Sequence, residues 1–468
     1  MVLETDYLVI GSGAVGLAFV DAMLDQSTAD FIIVDRNSMP GGHWNDAYPF
    51  VRLHQPSAFY GVESELLGHN QIDISGSNKG FYELASGPEV LAYFDRIMRQ
   101  RLLPSGRVRY FPMCEYKGEN RFDNCLSGKS HRVTVRKRLV DATFFDTIVP
   151  STHQRGFSVG DDVVCIAPNE LPKCAPSFSH YSILGGGKTA MDAAVWLIEH
   201  GTPPEHISWV CPRDSWLINR ATTQPGKAFF TQTGSSIARQ LQAMAKASSV
   251  DDLFDRLEAA GIMLRVDPAI RPSMFHYATI SQGEVDCLRQ ISQIIRGERV
   301  QALQRGGIHM CSGLSTQMPE DTLYIDCTAR AVGFTAEREQ AVFEPGKITL
   351  QPVFAPLVTY SAAIIARVEA VLEDDMARNK ACTPVRLADT PYEWMGSALG
   401  NMTNQALWSQ LPELKKWINT CRLNPAAQAI SEGAFESAEG QAVFRQIKEN
   451  SIPAVMNIHK LIAEGAPE

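Results

Sequence analysis

The sequence predicts an α/β protein with a helical C-terminal extension. Three observations predict it. A strand, a glycine turn, a helix and a second strand occupy the segment from Asp6 to Asp35. The same order recurs from Tyr181 to Val210, and from Pro391 onward the pattern is mostly helical. A chain of 468 residues is long enough for two or three domains, since domains run to roughly 100–200 residues.

The first unit opens with Asp6 to Ile10, a short apolar run suited to a buried parallel strand. Gly11-Ser12-Gly13-Ala14-Val15-Gly16 follows at once, and Leu17, Val20, Ala22, Met23 and Leu24 continue as a helix. A second apolar run, Phe31 to Val34, ends at Asp35, 19 residues beyond Gly16. Each glycine has a task. Gly11 allows the tight turn, Gly13 lets a pyrophosphate approach backbone N–H groups, and Gly16 lets helix and strand pack closely. The helix N-terminus presents its partial positive charge to the phosphates. Asp35 can accept hydrogen bonds from a ribose, and Ala14 and Arg36 adjoin these positions. Strand, turn, helix and acid fall in register, so the unit is Rossmann-like and binds a dinucleotide.

The second unit repeats the grammar. Tyr181 to Leu184 opens onto Gly185-Gly186-Gly187-Lys188-Thr189-Ala190, the variant with alanine at the packing position. Gly185, Gly187, Lys188 and Thr189 are the candidate cofactor contacts. Met191, Ala194, Val195 and Ile198 follow on one helical face, and Gly201 is a plausible stop. Ile207 to Val210 is the next strand, but no acid closes it. Arg213 stands there instead, with Arg220 nearby. An arginine at this place suits a 2′-phosphate, which favours NADPH over NADH. The alternative for Arg213 is a surface ion pair with Asp214. A P-loop is rejected, because Ser182 stands where that motif needs glycine.

Composition narrows the partners. The chain carries 52 acidic and 43 basic residues, a formal net charge of −9. Binding nucleic acid through phosphates would need a basic surplus or patch. The one short basic run, Arg132 to Arg138, is interleaved with Val133, Thr134 and Val135 and reads as a solvated strand face. Ten cysteines contain no Cys-x-x-Cys pair, so neither a zinc ribbon nor a thioredoxin-like redox pair is signalled. Such thiols suit a reducing cytoplasm. No apolar run of about 20 residues predicts a transmembrane helix, and no basic-then-apolar leader precedes the first strand. The expectation is a cytoplasmic protein with a small-molecule substrate, no nucleic acid and no membrane span; a homo-oligomer stays open.

Between and after the two units, Arg107–Phe111, His131–Val135 and Leu139–Phe144 alternate as short strands, expected to be antiparallel. Val163 to Asn169 reads as the strand leaving the first domain, and Leu323 to Ala329 as the return to it. Ser236–Ala247 and Val250–Ala260 form a helical insert, and Val358 to Leu372 a further helix. Trp394, Trp408 and Trp417 are expected to dock the tail on the core, since large aromatics are mostly buried packing.

After Asp35-Arg36 comes Pro40-Gly41-Gly42-His43-Trp44. It resembles the Gly-Gly-x-Trp segment of flavin-containing and Baeyer–Villiger monooxygenases, which lies along FAD in those proteins. Gly42, His43 and Trp44 are therefore candidate FAD contacts; without the two glycines Trp44 would read as a core aromatic. Arg52 to Ser57 and Phe59-Tyr60-Gly61 resemble the loop near the flavin ring. Two dinucleotide motifs, 174 residues apart from Gly11 to Gly185, resemble the layout of flavoproteins with an NAD(P)H domain inserted into an FAD domain, over roughly residues 1–370. The resemblance implies an FAD domain in 1–175 with a strand insert, an NAD(P)H domain in 176–325 with the helical insert, an FAD-domain return segment in 326–390, and a helical region in 391–468. It departs from the family pattern at Ala167-Pro168-Asn169, where relatives have Ala-Thr-Gly. The family's closing Gly-Asp pair and its histidine-containing fingerprint are also not found. The function implied is an FAD-dependent, NADPH-using monooxygenase acting through a flavin hydroperoxide on a small organic molecule. His54 and Gln55 occupy the loop where relatives place a polar side chain near the reacting oxygen; both could instead be turn residues ahead of Pro56. A flavin dehydrogenase or reductase without oxygen transfer, and a non-catalytic flavoprotein that binds both cofactors, are the alternatives.

Overall fold

A computed structural model describes residues 2–330 and 340–465. Val2–Ile10 lies between Ser130–Asp141 and Phe31–Val34, parallel to both, with Tyr7 opposite Phe31 and Leu8 opposite Leu139. Val108–Phe111 extends the sheet beyond Phe31–Val34, and Lys347–Thr349 joins Ser130–Asp141 at the other edge, again in parallel. The helix Ala14–Gln26 packs against Val358–Val371. It is buried without interruption from Ala14 to Leu24, as a helix enclosed on all sides must be.

The second sheet runs Gln293–Arg296, Ile207–Cys211, His180–Leu184, Thr322–Asp326, Cys165–Ile166, with every neighbour parallel. All residues of His180–Leu184 and Ile207–Cys211 are buried, the condition of a parallel sheet covered on both faces. Two small sheets complete the domain. One joins Met263–Leu264, Ser215–Asn219 and Met274–Ile280; the other joins Ser315–Gln317, Gly307–Met310, Val300–Gln304 and Ser158–Val159. The chain is thus an α/β protein of two parallel-sheet domains with a helical C-terminal part.

Three expectations are corrected by strand pairing. Val108–Phe111 and Ser130–Asp141 from Arg132 to Asp141 pair in parallel in the first sheet; between residues 107 and 145 antiparallel pairing joins Cys114–Tyr116 to Arg121–Asn124 and Arg121–Asn124 to the first residues of Ser130–Asp141. That strand is 12 residues long, enough to pair differently at its two ends. Cys165–Ile166 and Thr322–Asp326 pair with each other in the second sheet. Neither is therefore the exit from or return to the first sheet. Ser130–Asp141 and Lys347–Thr349 fill those places. An apolar run ending in alanine is the same local signal whichever sheet receives it. Residues 331–339 of the expected return segment lie outside the described residues.

The helical insert is Phe230–Lys246 and Val250–Ala259. The tail forms Pro391–Trp408, Pro412–Thr420, Ala427–Ser431 and the 27-residue Ala438–Glu464, which packs along Phe230–Lys246. Trp408 is buried in the core of the first domain, and its Nε1–H donates to the Ala381 carbonyl at 2.7 Å. Trp417 packs against the same core, and Trp394 sits edge-on to Phe254 and Phe275. The three rings dock the tail at two places. Among the described residues no helix is long and apolar enough to cross a membrane.

Trp408→Ala is expected to lower stability by about 3–5 kcal/mol, because it leaves a cavity and an unpaired carbonyl. Denaturant titration reads this as an earlier midpoint. A midpoint equal to the parent's would show that this ring does not hold the tail.

Candidate functional site

Both glycine turns are built alike. The Val2–Ile10 strand ends at Gly11, whose φ of +101° is a conformation that L side chains rarely adopt. A Cβ on Gly16 would lie 2.2 Å from the Gly11 carbonyl oxygen, so the helix can only approach this closely without one. In the second turn a Cβ on Gly185 would lie 2.4 Å from the Cys327 carbonyl oxygen, and Ala190 is fully buried at the packing position. The middle glycines differ. A Cβ on Gly13 would meet only Gly42, at 3.5 Å, and one on Gly187 nothing within 4 Å. Gly16 and Gly185 are thus hemmed in by protein backbone, whereas of the two glycines that cap the helices Gly13 would make only ordinary contact with Gly42 and Gly187 none.

A single cleft of about 1710 Å³ runs between the two turns, larger than the usual pocket of roughly 300–1,000 Å³ for one small ligand. It is lined by Gly11, Gly13, Ala14, Asp35, Arg36, Gly42, His43, Trp44, His54 and Gln55 from the first domain. Gly185, Gly187, Lys188, Thr189 and Arg213 line it from the second. Gly16 lies behind it. None of the three tail tryptophans reaches it.

Asp35 is buried at the end of its strand. One carboxylate oxygen accepts from the Ser12 N–H at 2.5 Å and the Ser12 hydroxyl at 2.7 Å, and the other from the Asn37 N–H at 2.8 Å. Each oxygen has two lone pairs, so the second still has room for a ribose hydroxyl. Arg36 is exposed. Gly42 lies against Gly13, and the Gly41 N–H donates to the Ser12 carbonyl at 2.9 Å, so the loop closes over the turn. Trp44 is both core aromatic and cleft lining; its Nε1–H donates to the Tyr60 hydroxyl at 2.8 Å. His43 stacks on it, and burial pushes its imidazole down to about 4.

Arg213 is exposed at the cleft. The expected alternative partner, Asp214, is taken by Arg296 at 2.9 Å. Arg220, expected to lie beside Arg213, does not. It is 1% exposed, pairs with Glu284 at 2.6 Å, and donates to the His54 carbonyl at 3.1 Å and to Asn78 at 3.2 Å. A guanidinium so enclosed cannot receive a cofactor phosphate.

The sequence did not signal the network around it. Lys188 contacts the carboxylates of Asp192 and Glu284, the latter at 3.2 Å. Burial opposes its charge, but Asp192 and Glu284 outweigh that and hold the ammonium above its usual range. For Glu284, burial is likewise outweighed by Lys188 and Arg220, which hold it at about 2. Asp192 accepts from the Tyr48 hydroxyl at 2.7 Å, across the two domains. These partners lie 4 to 144 residues apart in sequence, so only the Lys188–Asp192 spacing of one helical turn was visible locally.

His54 is tied to the same network. Its Nδ1 accepts the Thr279 N–H at 3.0 Å. The proton of the neutral ring therefore sits on Nε2, leaving a donor. Burial, with Lys188 and Arg220, holds the imidazole at about 3. Gln55 is half-buried beside it. Among the described residues no group of three or more His, Cys, Asp or Glu side chains could hold a metal ion.

No family model matches the chain. It is 46% identical over 428 residues to the uncharacterized protein Rv2000 of Mycobacterium tuberculosis and, equally, to the uncharacterized protein Mb2023 of Mycobacterium bovis; the match covers 92% of this chain and 79% of each relative. The chain belongs to their family. Among solved structures, this member of the family is similar to the flavin-containing monooxygenase from Stenotrophomonas maltophilia, at 15% identity and TM-score 0.44, covering 79% of this chain and 97% of that one. It is also similar to cyclohexanone-bound cyclohexanone monooxygenase, at 12% identity and TM-score 0.48, covering 99% and 98%. The bacillithiol disulfide reductase of Bacillus cereus matches at 13% identity and TM-score 0.45, covering 79% and 100%.

Acid stability tests the His54 assignment. Folded His54 stays neutral down to about 3, whereas the unfolded chain takes up the proton near the ordinary 6.5. Between those values the unfolded state binds more protons, so stability falls as pH drops from 6.5 toward 3. Glu284 adds the same sign below its ordinary 4.5. His54→Asn keeps an acceptor for the Thr279 N–H but cannot be protonated. It is expected to make the loss below 6.5 shallower without abolishing it, because His43, held at about 4, adds a loss of the same sign and Glu284 adds its own below 4.5. Thermal midpoints measured across that range check this; an unchanged slope would place the titration elsewhere.

Proposed function

We propose that this chain is an FAD-dependent oxidoreductase that uses NADPH, and that it is a monooxygenase of a small organic molecule. The observation that carries the reading is the continuity of the cleft: two helix N-termini, each capped by a glycine that lines it, face the same cavity. A helix N-terminus whose amides are unobstructed favours a pyrophosphate. Two of them on one cleft hold two dinucleotides within reach of each other.

The first turn holds FAD by the backbone around Gly11, Gly13 and Ala14. Asp35 accepts from its ribose, Arg36 lies at the exposed end, and Gly42, His43 and Trp44 close over it. The second turn holds NADPH at Gly185, Gly187 and Thr189, with Arg213 at the 2′-phosphate. Lys188 is matched by two carboxylates, so it orders the helix start and leaves the phosphates to the backbone. A bound FAD would supply hydride acceptance from NADPH and electron transfer to dioxygen, chemistry that no side chain here supplies. His54 remains neutral and offers its Nε2–H to the cleft, and the Gln55 amide adds a second donor. Fixed donors in a site that excludes water stabilise charge that develops on an oxygen atom.

The purified protein is expected to be yellow and to oxidise NADPH in air with an oxygenated product. If it instead gives stoichiometric H₂O₂ whatever the added organic molecule, it is a reductase or oxidase. Bound cofactors without turnover would make it a non-catalytic flavoprotein. Gly13→Val separates folding from binding. Its Cβ has room in the protein, so the variant is expected to keep the parent's circular dichroism while losing FAD. Full retention of FAD would remove the first-turn assignment.

For Arg213→Ala the expected outcome is weaker NADP⁺ binding with NAD⁺ binding unchanged. A charge-assisted hydrogen bond contributes roughly 1.5–3 kcal/mol, about ten- to a hundred-fold in affinity. Calorimetric titration of both nucleotides measures it, and equal affinities in parent and variant would assign the phosphate to another residue.

A further inference from the structure

The strand Met274–Ile280 pairs in parallel with Ser215–Asn219, but the register breaks in the middle. Trp216 faces Phe275 and Ile218 faces Thr279. One residue, Leu217, thus opposes three: His276, Tyr277 and Ala278. A bulge of this kind re-aims side chains and is over-represented beside active sites. At its apex Tyr277 has φ +56°, a conformation in which a bulky residue is an outlier. No other aromatic residue among those described adopts it. Glycine or asparagine would take it without strain, yet the position carries a ring, and strain retained at a cleft points to use.

The ring lies edge-on to Phe275 at 4.7 Å and packs with Ala355, Val385 and Leu387, as does Phe145. Phe145, Tyr277 and Leu387 all line the cleft. The Tyr277 hydroxyl is buried, so ring carbons are what the cleft meets. Two residues further on, the Thr279 N–H holds Nδ1 of His54 at 3.0 Å. The same bulge therefore sets an apolar ring and a fixed N–H donor in one cavity. The charges nearest this wall are paired, and Arg213, assigned above to the nucleotide phosphate, is the exposed cation beside them. Lys188 and Arg220 balance Asp192 and Glu284, and Asp389 is paired with His276 at 3.2 Å and with Arg330.

We propose that Tyr277 is the specificity-determining residue of the cleft. With Phe145 and Leu387 it forms the wall against which an uncharged, ring-sized organic molecule lies, the molecule's acceptor atom turned to His54. This rests on the FAD and NADPH reading of the cleft, and the two can fail separately.

The test uses the full-length protein purified with its flavin, with methyl phenyl sulfide as an uncharged aromatic probe. FAD content is measured, and the sulfide and NADP⁺ are each titrated by calorimetry. Tyr277→Gly suits the left-handed backbone and removes only the ring. It is expected to weaken sulfide binding about ten-fold, the order of a buried ring face, with FAD content and NADP⁺ affinity held. Tyr277→Phe should match the parent, because the hydroxyl does not face the cleft. Leu387→Ala, on the same wall, should weaken the sulfide in the same direction, and it decides the matter if Tyr277→Gly does not fold. Sulfide binding that is no tighter in the parent than in these variants overturns the proposal. So does an equal loss of NADP⁺ affinity, which would assign the ring to the nucleotide. A parent that carries no FAD and binds no NADP⁺ brings down the cofactor reading as well, and is told apart by those two measurements.

Discussion

Glu284 carries a negative charge inside the protein, and the geometry of the cleft follows from how that charge is compensated. One oxygen faces Lys188 at the start of the second nucleotide helix; the other faces Arg220, which also holds the His54 carbonyl. The Ser281 N–H and its own helix cap complete the shell. Bringing such a charge out of water is costly, and removing one partner of a buried pair costs about 3–5 kcal/mol because the other charge is stranded. The arrangement is thus nearly all-or-none. While it stands, a helix of the second domain and the histidine loop of the first are held in one relation.

Tyr48 adds the second tie. Its hydroxyl donates to Asp192, which Lys188 also contacts, and its ring leads through Phe50 to Trp196 on the same helix. Polar and aromatic contacts therefore reach across from the first domain to the helix whose N-terminus opens on the cleft. Movement between the domains must break this hydrogen bond and separate packed rings together, which favours a small number of discrete arrangements over continuous flexing.

The two turns show how one piece of backbone grammar serves two purposes. At Gly16, Gly185 and Ala190 a small residue is required by protein atoms on the other side. At Gly13 and Gly187 nothing of the protein requires it. The helical tail is part of the same construction, because Trp408 inserts into the first core and Trp394 packs with Phe254 of the second domain's insert and Phe275 of the strand Met274–Ile280.

By itself the sequence determined the two strand–turn–helix units, their glycines, Asp35 and Arg213, and the helical end. These depend on contacts within one turn or one strand, so composition and spacing carry them. The shared cleft into which those residues converge, from two domains and 174 residues apart, is a tertiary fact. Tertiary structure alone also decided which sheet receives Cys165–Ile166 and Thr322–Asp326, since an apolar run states that it will be buried and not beside which strand. It buried Arg220, because the carboxylate that claims it lies 64 residues downstream. It likewise set the tautomer of His54 through an amide 225 residues away and turned Tyr277 into the cleft through a register break in a strand pair. Long-range pairing of charges and strands leaves no period or spacing in the chain, so only the folded protein states it.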